Sequence, residues 1–146
     1  MYRRDYILRM IEEIGQVLVH LRRMILGGAA PAEEVDRELR SAARRGGVDL
    51  DVARVATADT LVMLISGGGE ADPSRGWLLA ELLYLDGLEA ETNGRVDAAR
   101  ASYDKALRLY SLVAPAGGFL VGWPEATERM AEIRSRLERL DAGATQ

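Results

Sequence analysis

The sequence predicts an all-α fold of about six to seven helices, on three observations. Apolar residues recur at helical spacing along most of the chain, and runs rich in β-formers are almost absent. The four prolines and the paired glycines fall between the periodic stretches and not inside them. The stretch Trp77 to Val113 reads as two helices joined by a tight break at Thr92-Asn93-Gly94. With 146 residues the chain is long enough for one domain with its own core. The expected layout is a single all-helical domain over 1–141. It comprises an N-terminal helix 2–26, a helical hairpin 77–113 and a capping helix 124–141, with 142–146 a frayed tail.

The first helix follows from Ile7, Ile11, Ile14, Leu18, Leu21 and Ile25, which alternate spacings of four and three. Met10, Val17 and Met24 widen that seam, as a helix packed into a domain needs. The same stripe also suits a contact with a second copy, where flexible methionines fit an irregular surface. His20 falls on the polar face. Gly27-Gly28 ends the helix and Pro31 opens the next. That second helix, 31–45, carries Glu33 and Glu34 at its start and Arg44 and Arg45 at its end, which complements the helix dipole. Its apolar stripe of Val35, Leu39 and Ala42 is thin, and Gly46-Gly47 closes it.

Residues 49–66 read as two short helices, the first capped by Asp49 or Asp51 and the second by Thr57. The run Leu61-Val62-Met63-Leu64-Ile65 is expected to be core throughout. Gly67-Gly68-Gly69 invites a phosphate-cradle reading. No strand precedes it, no Lys-Ser/Thr follows it, and Glu70 and Asp72 sit beside it, so it reads as a connection leading to a helix start at Asp72-Pro73.

From Trp77 to Glu91 apolar residues occupy nearly every face, so this helix must be covered on several sides. Gly87 interrupts it at a cost of roughly 1 kcal/mol relative to Ala, which points to another helix passing close by. After Val113, the segment around Phe119-Leu120-Val121-Gly122-Trp123 is too apolar for an ordinary loop. Either it folds back over the open end of the helical pair, or it forms a lip for a partner. The final helix has a narrow stripe of Ala126, Met130, Ile133, Leu137 and Leu140. The pairs Glu125–Arg129, Glu132–Arg136 and Arg134–Glu138 are expected on its exposed sides.

Within the hairpin, Gly87, Gly94, Ala99, Tyr103 and Ala106 stand at the spacings of the tetratricopeptide repeat, which this stretch resembles. Leu83 and Ala90 stand where that family usually has larger aromatics. The resemblance covers one repeat, and it implies a right-handed helical-repeat array of antiparallel helices whose small residues let two helices approach while Tyr103 fills the space between them and the next helix. A lone repeat cannot bury both of its faces, so the first and last helices must do so. The wider sequence is similar to a bacterial family of unknown function that joins such a repeat to an N-terminal helix. That likeness rests on Asp5-Tyr6-Ile7-Leu8-Arg9-Met10-Ile11-Glu12 and on Leu79-Ala80-Glu81-Leu82-Leu83-Tyr84-Leu85-Asp86-Gly87-Leu88, and it implies a fold and no activity.

Composition narrows function further. With no cysteine and one histidine, thiol chemistry, disulfides and a histidine-based metal site or triad lack their ingredients. The net charge of −4 argues against general nucleic-acid binding. The charged start lacks a small-residue cleavage site, and no run approaches the roughly 20 apolar residues of a membrane span, so a cytoplasmic location without cofactor, metal or membrane is expected. The leading functional reading is a non-catalytic module for protein–protein interaction or self-association. Its surface would comprise Ile7, Ile11, Ile14 and Leu18 with Phe119, Leu120, Val121 and Trp123, and its partner would be another protein or a second subunit in a homodimer. A second reading is a nucleic-acid-associated regulator using arginines of the first two helices, although acids are interleaved with Arg37, Arg40, Arg44 and Arg45. A third is an enzyme using Glu81 and Glu89, eight residues apart on one helix, for acid–base work.

Overall fold

The computed structural model describes residues 2–28, 30–66, 73–114 and 123–144. Among them run seven helices and no strand: α1 (Tyr2–Gly27), α2 (Ala32–Arg45), α3 (Leu50–Val55), α4 (Ala58–Ser66), α5 (Pro73–Thr92), α6 (Val96–Val113) and α7 (Ala126–Ala144). The last helix thus continues through the start of the expected tail. Phe119, Leu120 and Val121, and the glycines 67–69, lie outside the described residues. No described helix is long and apolar enough to cross a membrane.

Local sequence explains most helix ends. Pro31 stands just before α2 with an extended backbone, and Glu33 and Glu34 fill its first turn. At its far end Gly47 takes φ +78°. The Gly47 N–H then reaches the Arg44 carbonyl at 3.1 Å and the Val48 N–H reaches Ala43 at 2.9 Å. α5 ends in the same way. Gly94 has φ +76°, its N–H bonds to the Glu91 carbonyl at 3.1 Å, and the Arg95 N–H bonds to Ala90 at 2.8 Å. Both ends satisfy carbonyls that the helix leaves free, and both need a residue tolerant of positive φ. Asp49 caps α3 by accepting from the Asp51 and Val52 N–H groups at 2.9 and 3.3 Å. Thr57 Oγ1 accepts from the Thr60 N–H at 3.1 Å at the start of α4.

The core gathers around α5. Leu78, Leu82, Leu83, Tyr84, Leu85 and Leu88 are all fully buried, each buried leucine contributing about 1.5–3 kcal/mol relative to exposure. α1, α2, α3 and α6 all pack against this helix, and that is why its apolar residues need no single stripe. α6 runs antiparallel to it, since Gly76 meets Val113 while Gly87 meets Tyr103. α1 supplies Ile11, Ile14, Leu18, Leu21 and Ile25, each no more than 4 % exposed, with Met10, Val17 and Met24 partly buried beside them.

Two expectations about packing are corrected. The run 61–65 is not core throughout, because Leu61 and Ile65 are buried whereas Met63 is 73 % and Leu64 57 % exposed. α4 packs chiefly on α6, and a helix covered on one side cannot bury a continuous apolar run. Arg129, expected on an exposed side of α7 beside Glu125, is only 8 % exposed and points into the molecule.

Candidate functional site

Those of the residues assigned to self-association that the structure describes are buried within a single chain. Ile11, Ile14 and Leu18 are 0–2 % exposed within a single chain, and the Ile7 side chain lies outside the description. Trp123 is 9 % exposed and packs over Gly15 of α1, where an added Cβ would stand 2.3 Å from its Nε1. Its indole N–H donates to the Ile11 carbonyl at 3.1 Å. Trp123 therefore anchors the chain against α1 just before α7 begins, and does not form a free lip.

Of the residues assigned to repeat packing, Gly87, Ala99, Tyr103 and Ala106 lie at the α5–α6 contact, whereas Gly94 stands in the exposed turn that joins the two helices. Ala99, Tyr103 and Ala106 are fully buried. A Cβ on Gly87 would come within 2.7 Å of the Tyr103 ring, so this ring packs directly against the helix at the position where a side chain is missing. The Tyr103 hydroxyl emerges at the far side and donates to Glu91 Oε1 at 2.6 Å.

The chemistry of the molecule is concentrated in a polar seam beneath α7. Glu81 is buried on α5 and accepts two hydrogen bonds from Arg129, at 2.9 Å from Nε and 2.8 Å from a terminal nitrogen. The Tyr110 hydroxyl of α6 donates to the same carboxylate. The Arg129 guanidinium lies 4.1 Å from the Tyr84 ring centroid, a cation–π stack. Burial alone would favour a neutral Arg129, but the Glu81 carboxylate outweighs it and holds the guanidinium well above the usual arginine range. Burial pushes the Tyr110 hydroxyl far up, with the neighbouring Glu81 charge adding to the effect.

Glu132, one turn further along α7, accepts from four donors. Arg129 donates to Oε1 at 2.9 Å and Arg22 of α1 at 3.2 Å, while Arg136 donates to Oε2 at 3.0 Å alongside the Tyr84 hydroxyl. Burial raises the Glu132 pKa, but the Tyr84 and Arg136 hydrogen bonds and the nearby arginine charges hold it below the usual carboxylate value. Tyr84 in turn accepts from Arg22 Nε at 2.8 Å, and burial carries its pKa to about 12. Arg136 closes the seam by reaching Glu91 at 3.3 Å. Three arginines thus meet three glutamates with their charges matched. Removing one partner of a buried pair leaves the other uncompensated, so the seam fixes the position of α7.

A second cluster borders a groove of about 690 Å³ between α2, α5 and α6. Arg54 of α3 spans it, donating to Asp36 at 2.5 Å and to Asp86 at 2.8 Å, and Ser102 donates to Asp86 at 3.2 Å. At the other end Glu89 accepts from Arg95 and from Asn93 at 2.9 Å. Small side chains, Ala90, Ala98, Ala101 and Ser102, line the groove between these ends.

Glu81 and Glu89 consequently belong to separate clusters, one under α7 and one at the α5–α6 turn, and the structure does not bring them together as an acid–base pair. Of the arginines on the first two helices, Arg22 is turned inward, and Arg40 is held by Asp36 at 2.7 Å and Asp51 at 2.6 Å. Among the described residues no group of three or more acids or histidines could hold a metal ion. Sequence reading missed the seam, although one signal was present. Arg129 and Arg136 sit on the stripe of α7, three residues after Ala126 and Ile133 respectively, facing a helix whose acids also had to be covered. Comparison with known proteins adds no family, since no protein-family model, no curated protein and no solved structure matches the chain.

Proposed function

We propose that the chain is a non-catalytic helical docking module of tetratricopeptide-like type that receives an extended segment of a partner protein in the groove between α2, α5 and α6. The groove carries this reading. Its volume of about 690 Å³ accommodates several side chains, and its small alanine and serine side chains let a partner backbone come close to α6. The polar groups at its two ends supply both donors and acceptors for main-chain recognition. The Gly87–Tyr103 contact and the burial of Ala99 and Ala106 support the repeat-like part of the reading. So does α7, which meets Glu81, Tyr84 and Glu91 in the same order along both helices and so lies parallel to α5, where the first helix of a following repeat would stand. The clusters of acids and bases are neutralised internally, which suits a scaffold better than a reaction centre.

A peptide-library selection against the whole chain tests the proposal, with Ala98→Trp as the filled-groove variant. Ala98 is exposed at the groove wall, so the larger side chain needs no core rearrangement. Peptides selected by the native chain should lose at least about ten-fold in affinity for the variant, equivalent to about 1.4 kcal/mol. Equal binding to both proteins, or failure to select any peptide, rejects the groove as the docking surface.

A further inference from the structure

The contact under α7 combines a narrow apolar stripe with a dense set of ion pairs. Along the helix Ala126 and Ile133 are 6 and 0 % exposed, while Met130, Leu137 and Leu140 are only partly buried. Against these stand the Arg129–Glu81 pair at 2.8 Å, the four donors on Glu132, the Arg136–Glu91 pair at 3.3 Å and the Arg100–Asp141 pair at 3.1 Å. Ion pairs withdrawn from water define a geometry well, but desolvation offsets most of their attraction, so their net contribution to docking is small. The entry to α7 is held differently. Trp123 lies on Gly15 with its N–H on the Ile11 carbonyl, an aromatic anchor to α1. Meanwhile α1, α2, α3 and α6 pack against α5 independently of α7.

We propose that α7 is an ion-clamped arm, hinged at Trp123, that opens from α5 and α6 as one unit while α1 to α6 stay folded, uncovering Tyr84, Tyr103 and Tyr110. Glu132 is the pin of the clamp. It is faced by Arg22 from α1, Tyr84 from α5, and Arg129 and Arg136 from its own helix, and each carboxylate oxygen accepts two of these four donors. With every acceptor site filled, exchanging one oxygen for an amide turns an attraction into a donor–donor clash. Local opening of this kind belongs to elements whose docking energy is smaller than that of the core they rest on. The inference is independent of the groove, which lies between α2, α5 and α6.

Hydrogen exchange followed by mass spectrometry tests it on the whole chain at neutral pH, in a series of urea concentrations below the unfolding transition. Amides of residues 128–140 should exchange through one shared opening at least about ten-fold faster than those of residues 79–90. Glu132→Gln should accelerate the α7 amides by about a further ten-fold and leave those of α5 within about a factor of two. Arg136→Met, nearer the open end of the seam, should act in the same direction, and it decides the matter if Glu132→Gln loosens the whole fold. Identical exchange of α7 and α5 at every urea concentration, or equal acceleration of both helices by Arg136→Met, would overturn the proposal and make α7 an integral part of the core.

Discussion

Gly87 shows how much a single missing methyl can decide. Replacement by Ala gains roughly 1 kcal/mol of helix propensity in an exposed helix. Here the new Cβ would stand 2.7 Å from the ring of Tyr103, a ring that is fully buried and tethered through its hydroxyl to Glu91. Overpacking of this kind costs about 1–3 kcal/mol, so Gly87→Ala should destabilise the protein by about 1–2 kcal/mol in urea denaturation. Gly143→Ala, where no atom lies within 4 Å of the new Cβ, should instead be neutral or slightly stabilising in the same measurement. The importance of Gly87 and Tyr103 was legible in the sequence because a glycine inside an apolar helix is a local anomaly. Arg129 was not, because its partner Glu81 lies 48 residues away, and a four-residue spacing to Glu125 offered a plausible local partner that the fold does not use.

At the scale of elements, α3 is the least self-sufficient. Its six residues fall well short of the length at which a helix holds together alone. Asp49 supplies the N-cap, and Arg54 ties the helix to Asp36 and Asp86. The C-terminal end is closed from outside, by Lys105 of α6, whose ammonium donates to the Ala53 and Arg54 carbonyls at 3.1 and 2.7 Å. Burial pushes the Lys105 pKa down, with Asp86 opposing the shift, and the positive charge suits the negative end of the helix. Lys105→Met should therefore cost about 1 kcal/mol and act locally, raising the amide exchange of residues 53–56 more than that of α5. The caps at Asp49 and Thr57 could be read from the chain because their partners lie within three residues. The closure of α3 by Lys105 could not, since it joins residues about fifty apart. The exposure of Met63 and Leu64 was illegible for a related reason: an apolar run states that cover is wanted and says nothing of how much the rest of the fold supplies.

The whole molecule should show a plateau of stability with an acid limb and an alkaline limb. Glu132 has a folded pKa below the ordinary value of 4.5. Its contribution is therefore present above that value and is lost as pH falls through the lower, folded one. Tyr84 is shifted upward from 10.0 to about 12. Its contribution is complete below pH 10.0 and disappears as pH rises through about 12. Thermal midpoints followed by circular dichroism should fall on both sides of this range. Glu132→Gln should flatten the acid limb, and Tyr84→Phe should make the alkaline limb shallower, with the buried Tyr103 and Tyr110 accounting for what remains. Across the molecule, the sequence made the all-α class and most helix boundaries legible, because periodicity, glycines and caps act over a few residues. The seam that positions α7 depends on which helix faces which, and that is decided only when the chain is folded.

The closure of α3 by Lys105 has one further consequence, because Lys105 is the only lysine in the chain. An amine-directed acylating reagent finds one side-chain target, and that amine is engaged with two carbonyls as long as α3 is docked. Its acylation rate, separated from that of the chain's α-amino group by peptide mapping, is then a built-in clock for the detachment of α3, readable in a complex mixture without any engineered label.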